Sequence, residues 1–215
     1  MSYGNVNQTD ILEDLSFLLG DTSVPTSGID DRKRFIQRRL EQVWTMYDWD
    51  FTKVTATVAV TNGVATLASG AMLDGIKDVR VVNSGNSDDY VYTELPYSEG
   101  DDYNVGDYKY SVQGTTPNPR IVTKDTGSPL TVYYTQLPPQ INASIGAPFP
   151  DAMVIARGAL VDVRIGENPQ ADVSQEDALF QRSVEQLWAF YNRNKPRRAR
   201  KTFGGQNGYY TGKVG

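Results

Sequence analysis

Apolar residues recur with two different periods along the chain, helical at both ends and alternating in the middle. Ile11, Leu12, Leu15, Leu18 and Leu19 fall on one face of a helix. Asn7 or Thr9 can cap its first free amides, and Gly20 ends it. A loop with Pro25 and Gly28 leads to a second helix, for which Ser27 is the predicted cap. Ile29, Ile36, Leu40, Val43 and Tyr47 repeat there at helical spacing, while Arg32, Lys33, Arg38 and Arg39 occupy other positions. This helix is predicted to run to about Tyr47.

From Phe51 to Gln136 the period becomes two. VTATVAV, Asn62-Gly63 and VATL read as strand, tight turn and return strand, a hairpin signal. IKDVRVV, DYVYTEL, YKYSVQG, PRIVTK and LTVYYTQ follow, rich in β-branched and aromatic residues and separated by Gly, Pro, Asn and Asp clusters. About seven short strands at close spacing predict an antiparallel β-sandwich or small barrel.

An extended proline-rich connector, LPPQINASIGAPFP, spans 137–150, and the helical period then returns. Pro150 suits a first helical turn and Asp151 the positive end of a helix dipole. Met153, Val154, Leu160, Val161 and Ile165 form an apolar face, with Ala152, Ala156, Gly158 and Ala159 permitting close approach; Gly166 and Pro169 are the predicted stops. Ser174 followed by Asp177 opens a fourth helix carrying Phe180, Val184, Leu187, Trp188 and Tyr191 on one face, until Pro196 forbids continuation.

The predicted fold class is α+β. A helical bundle built from the N- and C-terminal helices (1–50 and 148–195) must bury its stripes internally, with a β module and its connector (51–147) inserted and a flexible basic tail (196–215) at the end.

Composition narrows the chemistry. The 215 residues contain no Cys and no His, which removes thiolate nucleophiles, disulfides, zinc–thiolate sites and the commonest general base. Apolar runs are far shorter than the ~18 residues a membrane span needs, so a soluble chain made in the cytosol is expected. The formal charge of −5 conceals an asymmetry. All 26 acids lie in 1–192 beside 14 basic residues, giving that stretch −12, while the last 23 residues carry 7 positive charges and no negative one.

Candidate chemistry is sparse. Glu99, Asp101, Asp102 and Asp107 crowd one loop but lack the ordered spacing of a calcium-binding loop, and a solvated loop is the expected reading. Tyr90, Tyr92, Tyr97, Tyr103, Tyr108, Tyr110, Tyr133 and Tyr134 could line a stacking surface for sugars or bases, but strands that pack a ring and keep a hydroxyl wet are the expected reading. The glycines of GGQNGYYTG follow a helix instead of opening one, so no phosphate cradle is visible. Neither a cofactor nor a metal site is expected.

Two segments suggest interactions. Trp44, Tyr47, Trp49 and Phe51 lie where the second helix enters the β module, most of them expected in the core and a minority as interface anchors. Arg193, Lys195, Arg197, Arg198, Arg200 and Lys201, followed by Tyr209 and Tyr210, form a basic segment that repels itself. It is expected to order on an acidic partner or to make salt-dependent, sequence-blind phosphate contacts.

The two N-terminal helices, WTMYDWDF, the PRIVTK and PLTVYYTQLPP strand pair, FPDAMVIARGALVDVRIGE, the last helix and the basic tail together resemble the head-to-tail adaptor proteins of tailed bacteriophages. The likeness is nearest to the tail-tubular, gatekeeper-type adaptors of short-tailed phages. It implies a non-enzymatic virion protein, made in the host cytoplasm and placed at the head–tail interface, forming a ring of about twelve copies beneath the portal. The implied partners are the portal protein, a tail or nozzle protein and, transiently, genomic DNA, with no membrane. By position, Arg193 to Lys201 and the chain beyond them to Gly215 correspond to the portal-docking tail. Two rival readings are a carbohydrate-binding or fibre-associated β module, and a carboxylate-dependent glycan hydrolase in which Glu94 or Glu99 faces another acid across a pocket.

Overall fold

The first helix, α1 (Gln8–Leu19), starts at Asn7, whose side chain accepts from the Thr9 and Asp10 amides while Asp10 accepts from the Asn7 amide. That reciprocal pair makes Asn7, not Thr9, the cap. Gly20 closes the helix in the left-handed conformation (φ 78°), its amide donating to Phe17. The computed structural model describes residues 5–25, 27–67, 70–81, 90–95, 104–124 and 129–192.

The second helix, α2 (Ile29–Met46), corrects two expectations. Gly28 stands at its N-terminus with φ 71° and no side-chain cap, so Ser27 does not cap it; Asp30 and Asp31 in the first turn face the positive end of the dipole instead. Arg39, expected away from the apolar stripe, is buried. Its guanidinium donates from Nε and Nη2 to the two carboxylate oxygens of Asp162, both at 2.7 Å, and lies 5.3 Å from the centre of the Phe180 ring. Periodicity alone misplaces Arg39 because the partner that makes its burial tolerable is 123 residues away.

After a single 3₁₀ turn (Asp50–Thr52) the described residues form eight strands: β1 (Lys53–Val58), β2 (Val64–Thr66), β3 (Ala71–Val81), β4 (Tyr90–Val91), β5 (Thr93–Glu94), β6 (Lys109–Thr115), β7 (Asn118–Val122) and β8 (Leu130–Gln136). Among the described residues they form two sheets, ordered β1-β8-β3-β4 and β2-β7-β6-β5. All pairings are antiparallel except β5 with β6, which is parallel.

Two expected pairings are replaced. Asn62 and Gly63 do form a tight turn with positive φ (51° and 77°), but only Thr61 and Val64 bridge across it. Beyond that bridge β1 joins β8 and β2 joins β7, so the turn rounds a corner between sheets instead of closing a hairpin. The turn is held against a distant strand: the Gly63 carbonyl accepts from the Thr123 amide at 2.8 Å, and a Cβ at Gly63 would stand 2.6 Å from the Thr123 oxygen. The glycine is thereby seated on the end of β7. Likewise PRIVTK and LTVYYTQ do not pair with each other, since β7 and β8 belong to different sheets.

The predicted single strand DYVYTEL also divides. β4 pairs with β3 in the first sheet and β5 with β6 in the second, the switch made by Tyr92 donating to Val79 and Thr93 to Tyr108. The sheets are therefore linked at both edges. Between them Ala65, Ile76, Val79, Ile121, Leu130 and Val132 pack with the rings of Tyr92, Tyr110 and Tyr134.

The connector leads into α3 (Ala152–Glu167), capped by Asp151, which accepts from the Met153 amide at 3.0 Å. The helix runs through Gly166 and ends at Asn168. The last helix, α4 (Ser174–Asn192), follows after Asp172, which accepts from the Ser174 amide at 3.0 Å; hydrogen bonding by the Ser174 side chain first, then by this amide, holds the Asp172 carboxyl below the usual carboxylate range. Packing places α3 against α1, α2 and α4. Close approach to α4 requires Gly158, where a Cβ would sit 2.9 Å from the Phe180 ring and 3.1 Å from Arg39 Cδ. Ile141, Ala147 and Phe149 of the connector are buried in this helical cluster, not against the sheets. Val6 and Ala147 exchange backbone hydrogen bonds at 2.9 Å.

Candidate functional site

The aromatic corner is built from four directions. Leaving α2, the chain extends at Tyr47, turns through Trp49 and Phe51, and meets Phe149 of the connector and Trp188 of α4. Trp49, only 1% exposed, stacks on Phe51 with centroids 5.3 Å apart and meets Trp188 edge-on at 5.3 Å. Tyr47 stacks on Trp188 at 4.8 Å. Two of the indoles have a hydrogen-bond acceptor: Trp49 Nε1 donates to the Val43 carbonyl at 2.7 Å and Trp44 Nε1 to the Gln136 carbonyl at 2.8 Å. The second bond ties the end of α2 to the end of β8. Buried indoles with satisfied N–H groups act as a fastening between helices and sheet.

On the outer side of this corner Lys53 Nζ lies 2.9 Å from Asp48 and 3.2 Å from Asp50. Partial burial works against its charge, but the hydrogen bonds and attraction of the two carboxylates prevail and its pKa is raised. Beside it opens a cleft of about 200 Å³ lined by Trp44, Thr45, Tyr47, Asp48, Thr52, Met72, Gly75 and Thr135. Among the described residues that line it, Asp48 is the one carboxylate. Glu94 is exposed and accepts at 3.5 Å from the Tyr110 hydroxyl. Among the described residues, no three acidic side chains come together as metal ligands, and no helix is long and apolar enough to cross a membrane.

Other sequence candidates are dispersed. Of the tyrosines considered for stacking, Tyr92, Tyr110 and Tyr134 are buried between the sheets, and Tyr133, partly exposed, carries the Arg80 guanidinium 5.4 Å from its ring centre. Asp107 accepts from the Asn104 amide in a turn. Arg193, Lys195, Arg197, Arg198, Arg200, Lys201, Tyr209 and Tyr210 lie outside the described residues, as do Glu99, Asp101, Asp102, Tyr97 and Tyr103.

The outer faces of the first and last helices carry exposed apolar side chains. Phe17 on α1 is 76% exposed; Leu179 and Phe190 on α4 are 56% and 66% exposed. Leu179 and Phe190 are eleven residues apart, about three turns, on the side away from Phe180 and Val184. That spacing was available as a signal, but the stronger inward stripe obscures it.

The profile of the family described as SU10 adaptor protein matches residues 6–205, nearly the whole chain. No curated protein matches. The chain belongs to the SU10 adaptor protein family and is a phage structural adaptor.

Proposed function

We propose that this adaptor forms a ring beneath the portal, joins the portal to the tail or nozzle, and surrounds the channel through which the genome passes. The observation that carries the reading is the family match across 6–205. In this reading the helices of 1–50 and 148–195 form the ring body and the β module of 51–147 faces the tail, as in the tail-tubular, gatekeeper-type adaptors of short-tailed phages. The basic segment after Asn192 docks on an acidic portal surface.

Charge supports the assignment of roles. A body of −12 repels the phosphates of a sliding genome, while a +7 terminus is drawn to an acidic partner. The protein works as a structural piece and not as an enzyme, and it resides in the virion. Changing Arg197, Arg198, Arg200 and Lys201 together to Ala is expected to abolish portal binding at physiological salt and to flatten its salt dependence. Portal binding equal to wild type at every salt concentration would overturn the docking assignment.

A further inference from the structure

Among the described residues, α1 and α4 each turn a large apolar side chain outward, Phe17 and Leu179. α3 contacts α1, α2 and α4, whereas α1 and α4 make no extended contact with each other. Their directions are opposed. Phe35 and Arg39 of α2 meet Gly166 and Asp162 of α3 in descending order, so these two helices are antiparallel, and the short loops 20–28 and 168–173 reverse the chain on either side of them.

The exposed arc of α1 presents Asp10, Glu13 and Phe17 at helical spacing, and that of α4 presents Leu179, Arg182 and Gln186. Glu13 and Arg182 form no ion pair among the described residues. The two arcs match when the helices are laid antiparallel. With Phe17 on Leu179, Glu13 lies one turn back, about 6 Å along α1, and Arg182 about 4.5 Å along α4, so carboxylate and guanidinium coincide. One turn further Asp10 meets the amide of Gln186.

We propose that the α1 face of one copy packs antiparallel on the α4 face of the next copy, Phe17 against Leu179 and Glu13 against Arg182. This rests on the ring reading above and names its subunit contact. Because the two faces differ, the contact is head-to-tail, and because α1 and α4 run in opposed directions within the chain, it propagates around an axis running along the helices, as a ring contact requires. The exposure of Phe17 in its own chain is then a property of the isolated subunit only.

A head-to-tail contact has a specific signature in mixing. Phe17→Asp damages one face and spares the other, and Leu179→Asp does the reverse. Native mass measurement of the full chain, with and without portal, is expected to show rings for wild type and none for either variant. An equimolar mixture of the two variants is expected to give dimers that stop growing, since one sound face of each remains. Rings from wild type with undiminished rings from both variants, or a mixture that stays monomeric, would overturn the proposed contact and leave the ring intact. Variant rings that form normally but no longer bind portal would assign these faces to the portal and likewise overturn it. Wild type that never assembles, even on portal, would overturn the ring reading and this contact together. If an aspartate variant fails to fold, Glu13→Arg and Arg182→Glu take its place: each alone is expected to weaken assembly, and the two combined in one chain to restore it; no restoration counts against the contact.

Discussion

The helical cluster and the sheet cluster solve the same burial problem by different means. Between the sheets, side chains are mostly small, β-branched or Tyr, and backbone ladders set their positions, so no buried ion pair is needed among the described residues. Helices have no such ladder between them. Their relative positions depend on side chains, and this bundle uses a fork-shaped Arg39–Asp162 pair, an arginine over Phe180, a glycine contact at Gly158 and two indole N–H bonds. Apolar burial stabilises both regions, but only the helices require specific polar contacts to choose one packing out of several.

The largest test of that contrast is Arg39→Ala. It leaves the Asp162 carboxylate buried without its cation and is expected to cost about 3–5 kcal/mol in chemical denaturation. Amide exchange should accelerate across α2, α3 and α4 while β3 and β8 keep their protection. Equal loss of protection in both regions would break the comparison.

A smaller effect is expected from Gly158→Ala. The new methyl group meets the Phe180 ring at 2.9 Å and the Arg39 stem at 3.1 Å, and overpacking of this kind costs about 1–3 kcal/mol. A variant as stable as wild type would mean that α3 and α4 can separate freely. In that case the Arg157 bond to Ser183, next to the glycine, does not fix their spacing.

Asp14 tests the electrostatics of the helical half at its edge. Burial first, then the charges of Asp151, Asp10 and Glu13, raise its pKa above the ordinary carboxylate value. An acid whose folded pKa exceeds its unfolded one penalises the fold while ionised. The penalty is fully present above the folded pKa and disappears below the unfolded one. Asp14→Asn is therefore expected to stabilise slightly at neutral pH, with the gain vanishing as pH falls through the carboxylate range. An identical melting temperature for the two proteins at every pH would refute this.

Legibility from sequence differed in the same way between the two regions. All four helices were foreseeable from stripes such as Ile11, Leu12 and Leu15, because helical periodicity is a local property. Their contacts were less so. Arg39 carries no local mark of burial, and Phe149 looks like connector until it is found beside Trp49. In the β module the strands were legible but their neighbours were not. Asn62-Gly63 specifies a turn, and the destination of each strand was decided by pairings such as Val54 with Tyr134 and Ala65 with Ile121, far apart in the chain. As for interaction surfaces, the aromatic corner was visible as a cluster, whereas the outer faces bearing Phe17 and Leu179 emerge only once the inward faces have partners.

By itself the sequence determined the α+β order of elements, the turn at Asn62-Gly63 and the division of charge between an acidic body and a basic end. These depend on residues close together or on simple sums. Only the tertiary structure decided the two-sheet topology, the burial of Arg39 on Asp162 and the separation of the α1 and α4 outer faces. Each of those depends on which distant segments meet, and periodicity, which reports the face a residue occupies, carries no information about what that face touches.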